Sequence, residues 1–250
     1  MPFNENNVIV VTGSDTGVGK TVISILLCRI ALRLGKQVVG LKPFSSGDRH
    51  DARSLVWAAN GDGGELEHIN LINPWHFSRP VAPCVAAGAS GEIPQAEELH
   101  NWILQFSQRS KVTIIEGAGG LLSPLGTNYT VMDVGMSLGA CFACVINNKI
   151  GAINQARLCY EVLKSRGLKD FVLILNQTSA PDESSNSNAQ MIVESCPEAR
   201  VATLPRIPGL HTSEDIQAVD EFLKNSLQIS EKLINLFSFG VGQQTTPLNI

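Results

Sequence analysis

The chain has 250 residues, 44% of them hydrophobic and 17% charged, with a formal net charge of −4. Such a composition suits a globular protein with a sizeable core, and the negative balance argues against a nucleic-acid or anionic-membrane surface. No apolar run reaches the ~18–20 residues that cross a bilayer, and Met1 to Asn7 lack the basic and apolar regions of a signal peptide, so the expected compartment is the cytoplasm.

In chain order, Val8-Ile9-Val10-Val11 marks a strand over 7–12. It leads into Gly13-Ser14-Asp15-Thr16-Gly17-Val18-Gly19-Lys20-Thr21, and the apolar stretch from Val22 predicts a helix over 19–35 that ends at Gly35. A strand, a glycine-rich turn closing in Gly-Lys-Thr, and a helix make a phosphate-binding loop. Its backbone N–H groups and the positive helix end cradle polyphosphate, Lys20 reaches the outer phosphates, and the Thr21 hydroxyl is suited to magnesium. The usual spacing puts four residues between the two glycines, whereas Gly13 and Gly19 enclose five.

The next strand, 37–42, ends in Lys42 and continues as Pro43-Phe44-Ser45-Ser46-Gly47. A lysine at a strand's carboxyl end can neutralise a γ-phosphate or an anionic intermediate; the alternative is a surface lysine before a turn. Asp51, at the start of a helix over 51–60, is open to two readings, a magnesium ligand or a helix cap. A third helix, 95–109, opens at Pro94. Strand 111–116 closes in Glu116-Gly117-Ala118-Gly119-Gly120, an acid where a phosphate-loop protein holds its metal, then glycines that let backbone approach a ligand.

Strand 140–147 carries Cys141 and Cys144, whose spacing sends their side chains to opposite faces; the six cysteines read as free, buried thiols. The polar Asn147-Asn148-Lys149 precedes a helix over 152–166. Strand 170–176 ends in Asn176, whose amide could read a base edge or simply start a turn. A polar segment, 178–190, predicts a loop with a mobile tip leading into a helix over 185–196. Strand 199–204 is followed by Pro205-Arg206-Ile207-Pro208, which could wall the same base, and Ser213-Glu214-Asp215 reads as the capped start of a helix over 213–236. Residues 1–239 read as a single domain and 240–250 as a loose tail. The alternation predicts an α/β fold, a doubly wound, mainly parallel sheet with helices on both faces and ligands at the strands' carboxyl ends.

Taken together these motifs resemble the dethiobiotin synthetase family. The similarity runs through Thr12 to Thr21, Lys42 to Gly47, Asp51-Ala52, Asn73-Pro74, Phe77 to Pro83, Glu116 to Gly120, Ile150 to Asn154 and Asn176, over roughly residues 8–210. The five-residue spacing in the phosphate loop is that family's own pattern. The resemblance implies an ATP- and magnesium-dependent ligase of the P-loop NTPase type that converts 7,8-diaminononanoate and CO2 to dethiobiotin through a carbamate and its phosphorylated form. It implies catalytic roles for Lys20 and Lys42, and metal ligation by Thr21, Asp51 and Glu116. Nucleotide contacts are implied at Gly17, Val18, Gly19, Lys20, Thr21, Val22, Asp51, Glu116, Gly117, Ala118, Gly119, Asn176, Gln177, Pro205, Arg206 and Ile207. Substrate contacts are implied at Thr16, Lys42, Ser46, Pro83, Gly119, Gly151 and Asn154. A homodimer with the stretch 150–154 near its interface is also implied. The chain departs from the family where Gln155 stands in a place relatives often fill with His, where Gly17 replaces an acid of some members, and in the polar Asn147-Asn148-Lys149.

Two rival readings fit less well. An amidoligase of the cobyrinic acid diamide synthetase type carries a glutaminase domain with a nucleophilic cysteine, for which this chain is too short. A regulatory switch ATPase of the septum-site type typically has a second lysine in the loop and often a basic amphipathic tail, and residues 240–250 contain no Lys or Arg.

Overall fold

A computed structural model describes residues 7–60, 68–89, 93–126, 128–208 and 216–237. The expected helix start at Ser213 and the tail 240–250 lie outside the described residues. All six expected strands form: β1 (Asn7–Gly13), β2 (Val38–Leu41), β5 (Val112–Glu116), β6 (Cys141–Asn147), β7 (Phe171–Asn176) and β8 (Arg200–Leu204). They pair in parallel in the order β2-β5-β1-β6-β7-β8. β5 and β7 are buried along their whole length, as are the first six residues of β6. Burial on both faces is why these strands read as continuous Val/Ile/Leu runs rather than alternating ones. The chain leaves β1 toward β2 and β5 on one side and reaches β6 on the other, so the sheet changes direction beside β1 and opens a crevice at its carboxyl end.

The helices are α1 (Lys20–Arg33), α2 (His50–Asn60), α3 (Ile69–Ile72), α4 (Pro83–Ala86), α5 (Ala96–Ser107), α6 (Val131–Ser137), α7 (Ala152–Ser165), α8 (Asn188–Ser195), α9 (Ile216–Asn225) and α10 (Leu227–Phe237). α1 runs against β1, β2 and β5, and α7 against β6, β7 and α8. Gly35 follows the end of α1 at φ +68, and the N–H groups of Gly35 and Lys36 close the last turn on Leu32 and Ala31. Pro94 stands two residues before α5 rather than in its first turn, and its carbonyl accepts the Tyr129 hydroxyl at 2.7 Å. The long C-terminal helix is two helices, α9 and α10, which meet at Ser226.

The sequence reading did not anticipate α3, α4 or α6, nor a separate parallel pair formed by β3 (Phe44–Ser46) and β4 (Trp75–Phe77). The short elements are fixed by distant partners: Phe44 stacks on Trp75 at 5.3 Å, and Trp75 meets Trp102 edge-on at 5.4 Å. The segment 178–190 is also more built than its composition suggests. Asp182 caps a 3-10 turn at Glu183–Asn186 and both Ser185 and Asn188 are buried. The two cysteines of β6 do face opposite ways, Cys144 toward Cys159 of α7 and Cys141 toward Arg200 at 3.7 Å.

Candidate active site

The phosphate loop connects β1 to α1 at the crevice. Gly17 and Gly19 hold φ angles of +74 and +91, which L side chains rarely adopt. A Cβ at Gly19 would lie 2.1 Å from Nδ2 of Asn176, so the glycine there also makes room for a neighbour. That neighbour holds the loop: Asn176 Nδ2 donates to the Val18 carbonyl at 2.9 Å. The other side of the loop is fastened by Ser14, whose N–H donates to the Val145 carbonyl at 2.9 Å and whose hydroxyl donates to Gln155 Oε1 at 3.0 Å. Lys20 Nζ donates back to the Asp15 carbonyl at 2.9 Å. Burial first, and then the nearby Lys42, push the Lys20 ammonium below the usual lysine range. Thr16 is exposed on the loop's outer edge and Val22 lies in the first turn of α1.

Four expected residues from four parts of the chain meet beneath the loop. Thr21 Oγ1 lies 2.7 Å from Asp51 Oδ1 and 2.9 Å from Glu116 Oε1. Lys42 Nζ lies 2.7 Å from Glu116 Oε1, 3.0 Å from Asp51 Oδ2 and 3.3 Å from the Gly117 carbonyl. Asp51 is not the cap of α2; Asp48 accepts the His50 N–H at 3.0 Å, and the Asp51 carboxylate faces Thr21 and Lys42. Burial alone would lower the Lys42 pKa, but Glu116 and Asp51 outweigh it and hold the ammonium charged well above the usual lysine range. Burial pushes Glu116 up, against the pull of Lys42. Burial acts the same way on Asp51, but Lys42 and the Thr21 hydroxyl overcome it and keep that carboxyl below its ordinary value.

The donor set fits magnesium. Glu116 Oε2 is buried with no hydrogen-bond partner, and a buried carboxylate oxygen left that way is costly. Two carboxylates and a hydroxyl are all hard oxygen donors. Among the described residues no cluster of three or more His, Cys, Asp or Glu offers an all-protein metal cage. Magnesium does not need one, because it is usually held by one or two carboxylates, with substrate phosphates and water completing the shell.

Backbone after β5 is stitched to the loop: Gly117 N–H donates to the Val11 carbonyl and Leu121 N–H to the Gly13 carbonyl, both at 2.9 Å. Ala118 lies between them, and Gly119, at φ +73, has Ser123 Oγ 2.4 Å from where its Cβ would be. Gln177 N–H donates to the Leu204 carbonyl at 3.0 Å and brings Asn176-Gln177 beside Pro205, Arg206 and Ile207, the residues expected to wall a base. Ile207 is buried; Pro205 and Arg206 are exposed. On the opposite side, Ser46 ends β3 with a buried, unpartnered hydroxyl oxygen, and Pro83 opens α4 beside that strand. Gly151, at φ +91, precedes α7, and Asn154 is exposed in its first turn.

Sequence reasoning gave no role to Asn73, which is 1% exposed and anchors the Lys42 turn. Its Nδ2 donates to the Lys42 carbonyl at 2.6 Å, and its Oδ1 accepts Ser45 Oγ and Arg49 Nε, each at 2.9 Å. The Asn-Pro dipeptide at 73–74 signals only a turn.

A parallel sheet with a phosphate loop at its switch point, an acid ending the neighbouring strand and a hydroxyl following the loop lysine define a nucleotide-binding protein of the P-loop class. Solved structures share the fold: the MinC:MinD cell division protein complex of Aquifex aeolicus at TM-score 0.56 and 15% identity, over 98% of this chain and 99% of that one, and an ATP complex of Cyanothece McdA at TM-score 0.57 and 12% identity, over 98% and 100%. Identities this low speak for the fold alone. The family model AAA_26, an AAA domain, matches residues 7–214. The ATP-dependent dethiobiotin synthetase BioD of Anaeromyxobacter dehalogenans (strain 2CP-C) is 35% identical over 205 residues, 80% of this chain and 90% of the relative. That of Bacillus subtilis (strain 168) is 31% identical over 224 residues, 88% and 96%. The chain belongs to the dethiobiotin synthetase family, ATP-dependent ligases of biotin biosynthesis.

Proposed function

We propose that the cluster of Thr21, Lys42, Asp51 and Glu116 is where this ligase carries out phosphoryl transfer, on the way from 7,8-diaminononanoate, CO2 and ATP to dethiobiotin, ADP and phosphate. The observation that carries the proposal is the convergence of one ammonium, one hydroxyl and two carboxylates, joined by contacts of 3.0 Å or less at the carboxyl ends of the strands. One substrate amine adds to CO2 and loses a proton, giving a carbamate. A carbamate oxygen then takes the γ-phosphoryl group and ADP departs. The second amine attacks the carbamoyl carbon and gives up a proton, phosphate leaves with the C–O bond's electrons, and a cyclic urea closes.

Thr21, Asp51 and Glu116 would hold magnesium, which would supply neutralising charge for the phosphates. Lys20 binds the outer phosphates as a point charge. Lys42, kept charged by its carboxylate neighbours, offsets the negative charge that accumulates when carbamate and γ-phosphate approach. The carbamate is already an anion, so no strong general base is needed and alignment is the main task. Thr16, Ser46, Pro83 and the backbone at Gly119 line the diamine side. Asn176, Gln177 and the stretch Pro205 to Ile207 enclose the base, and Gly151 and Asn154 take the substrate's carboxylate tail at the interface of a homodimer. Six free thiols fit the cytoplasm.

An ATPase assay with and without diaminononanoate and bicarbonate tests the function. ADP release should require both co-substrates, and hydrolysis indifferent to the diamine would overturn the proposal.

A further inference from the structure

The polar triplet Asn147-Asn148-Lys149 at the end of β6 has no part in the chemistry above, yet its middle residue is among the most connected in the molecule. Asn148 is 3% exposed. Its N–H donates to the Asn176 carbonyl at 2.9 Å, extending the β6–β7 pairing by one step. Its Nδ2 donates to Gln177 Oε1 at 3.1 Å and to the Ser185 carbonyl at 3.2 Å, and its Oδ1 accepts Asn188 Nδ2 at 2.9 Å. Both donor hydrogens of the amide are used, and each bond crosses to a different point of the segment after β7. Asn188, 1% exposed, also donates to the Lys149 carbonyl at 3.2 Å, and Ser185 Oγ donates back to the Asn148 carbonyl at 3.1 Å.

Gln177 is the end of this network that faces the nucleotide. Its side-chain amide is held by protein at both ends, Oε1 by Asn148 and Nε2 by the Ser179 carbonyl at 3.2 Å, while its N–H ties to Leu204. Directly before it, Asn176 holds Val18 in the phosphate loop. The bonds on Gln177 therefore fix the backbone direction at the base wall, and Asn148 supplies one of them from just beyond the end of β6.

We propose that Asn148 is a positioning residue for the nucleotide base, acting through Gln177, a role that rests on the base site proposed above. Removing its amide leaves the Gln177, Ser185 and Asn188 polar atoms short of partners together, and the base wall loses its fixed distance from β6. The catalytic groups Lys20, Thr21, Lys42, Asp51 and Glu116 lie outside the network, so the loss appears as weaker nucleotide binding with turnover preserved.

Calorimetric titration of the full chain with magnesium and a non-hydrolysable ATP analogue, followed by steady-state kinetics, provides the test. Asn148→Ala should weaken analogue binding and raise KM for ATP about tenfold, with kcat at saturating ATP unchanged within about twofold. Asn148→Ser stays polar but is too short to span to Gln177, and it should show the same signature, which keeps the idea testable if Asn148→Ala does not fold. Asn188→Ala spares the Asn148–Gln177 bond and should lower the melting temperature with a smaller change in KM. Unchanged analogue binding in Asn148→Ala and Asn148→Ser, or a fall in kcat at constant KM, would overturn the role. A wild-type chain that fails to bind the analogue would overturn the nucleotide site itself, and this role with it.

Discussion

Lys42 does two things that a single substitution would mix. It lies 2.7 Å from Glu116 and 3.0 Å from Asp51, so it neutralises a buried acid, and in the proposed reaction it meets the carbamate and γ-phosphate. Lys42→Ala should lower turnover by about 10²–10³ while ATP affinity changes by less than about threefold; near-normal turnover would remove the role. The same variant strands Glu116, whose side chain is fully buried, and breaking such a pair costs about 3–5 kcal/mol. Adding Glu116→Gln removes the stranded charge, so the double variant should regain melting temperature without regaining activity. Gly19 makes a different kind of demand. Gly19→Ala combines a strained φ of +91 with a Cβ 2.1 Å from Asn176 Nδ2. Because the Asn176–Val18 bond would have to open, nucleotide affinity should fall on the order of a hundredfold, measured by titration of the folded variant. The placement of Lys42, Glu116 and Asn176 was legible in the sequence because each stands at the end of a recognisable apolar strand, where ligands gather in such sheets. Asn73, Arg49 and Asn148 were not, because their partners lie 20 to 40 residues away and only the fold brings them together.

At the scale of elements, the same distinction separates long strands from short pieces. The strands expected at 7–12, 111–116 and 140–147 form within a residue or so of those bounds, since burial on both faces leaves an apolar run with clear ends. β3, β4 and α4 are only three or four residues each and have no period to read; packing around Trp75 determines the first two. α6 did leave a trace, the reciprocal Thr130–Asp133 capping box. The loop after β7 looked unstructured because polar residues there face one another. Asp182 Oδ1 accepts the N–H groups of Ser184 and Ser185, and its Oδ2 accepts the Ile150 N–H at 2.8 Å, pinning the approach to α7. The Ser184 hydroxyl, followed by the Ile150 N–H, brings the Asp182 pKa from 3.8 down to about 2. A carboxyl whose folded pKa is depressed contributes stability above its unfolded value and loses it as pH falls through the folded one. Wild type should therefore lose this contribution as pH falls from about 4 to about 2. Asp182→Asn should be less stable at neutral pH and show a shallower decline across that window, by denaturant titration at each pH. Parallel stability curves for the two proteins would exclude the clamp.

The whole molecule presents one further problem, the apolar surface around α7. Ile150 is 78% exposed, Leu158 59% and Leu122 53%, and a cleft of about 440 Å³ lined by Ser14, Leu122, Pro124, Leu158 and Val162 runs up to the phosphate loop. Covering three such side chains would contribute roughly 1.5–3 kcal/mol each. By area they fall short of the ~1,000 Å² a specific interface needs, so they would form the centre of a wider contact. If that contact is the proposed homodimer, the α7 entry at Gly151 and Asn154 sits beside it, and association becomes part of substrate binding. Leu158→Asp places a charge in the centre of the face on an exposed helical position, where folding should not suffer. Sedimentation equilibrium should then show a monomer, KM for the diamine should rise, and the affinity for ATP should stay put, because the proposed nucleotide groups lie within one chain. A wild type that sediments as a monomer at micromolar concentration would remove the dimer. A monomeric variant with an unchanged KM for the diamine would instead separate the interface from the substrate tail and return Gly151 and Asn154 to a purely structural role at the start of α7.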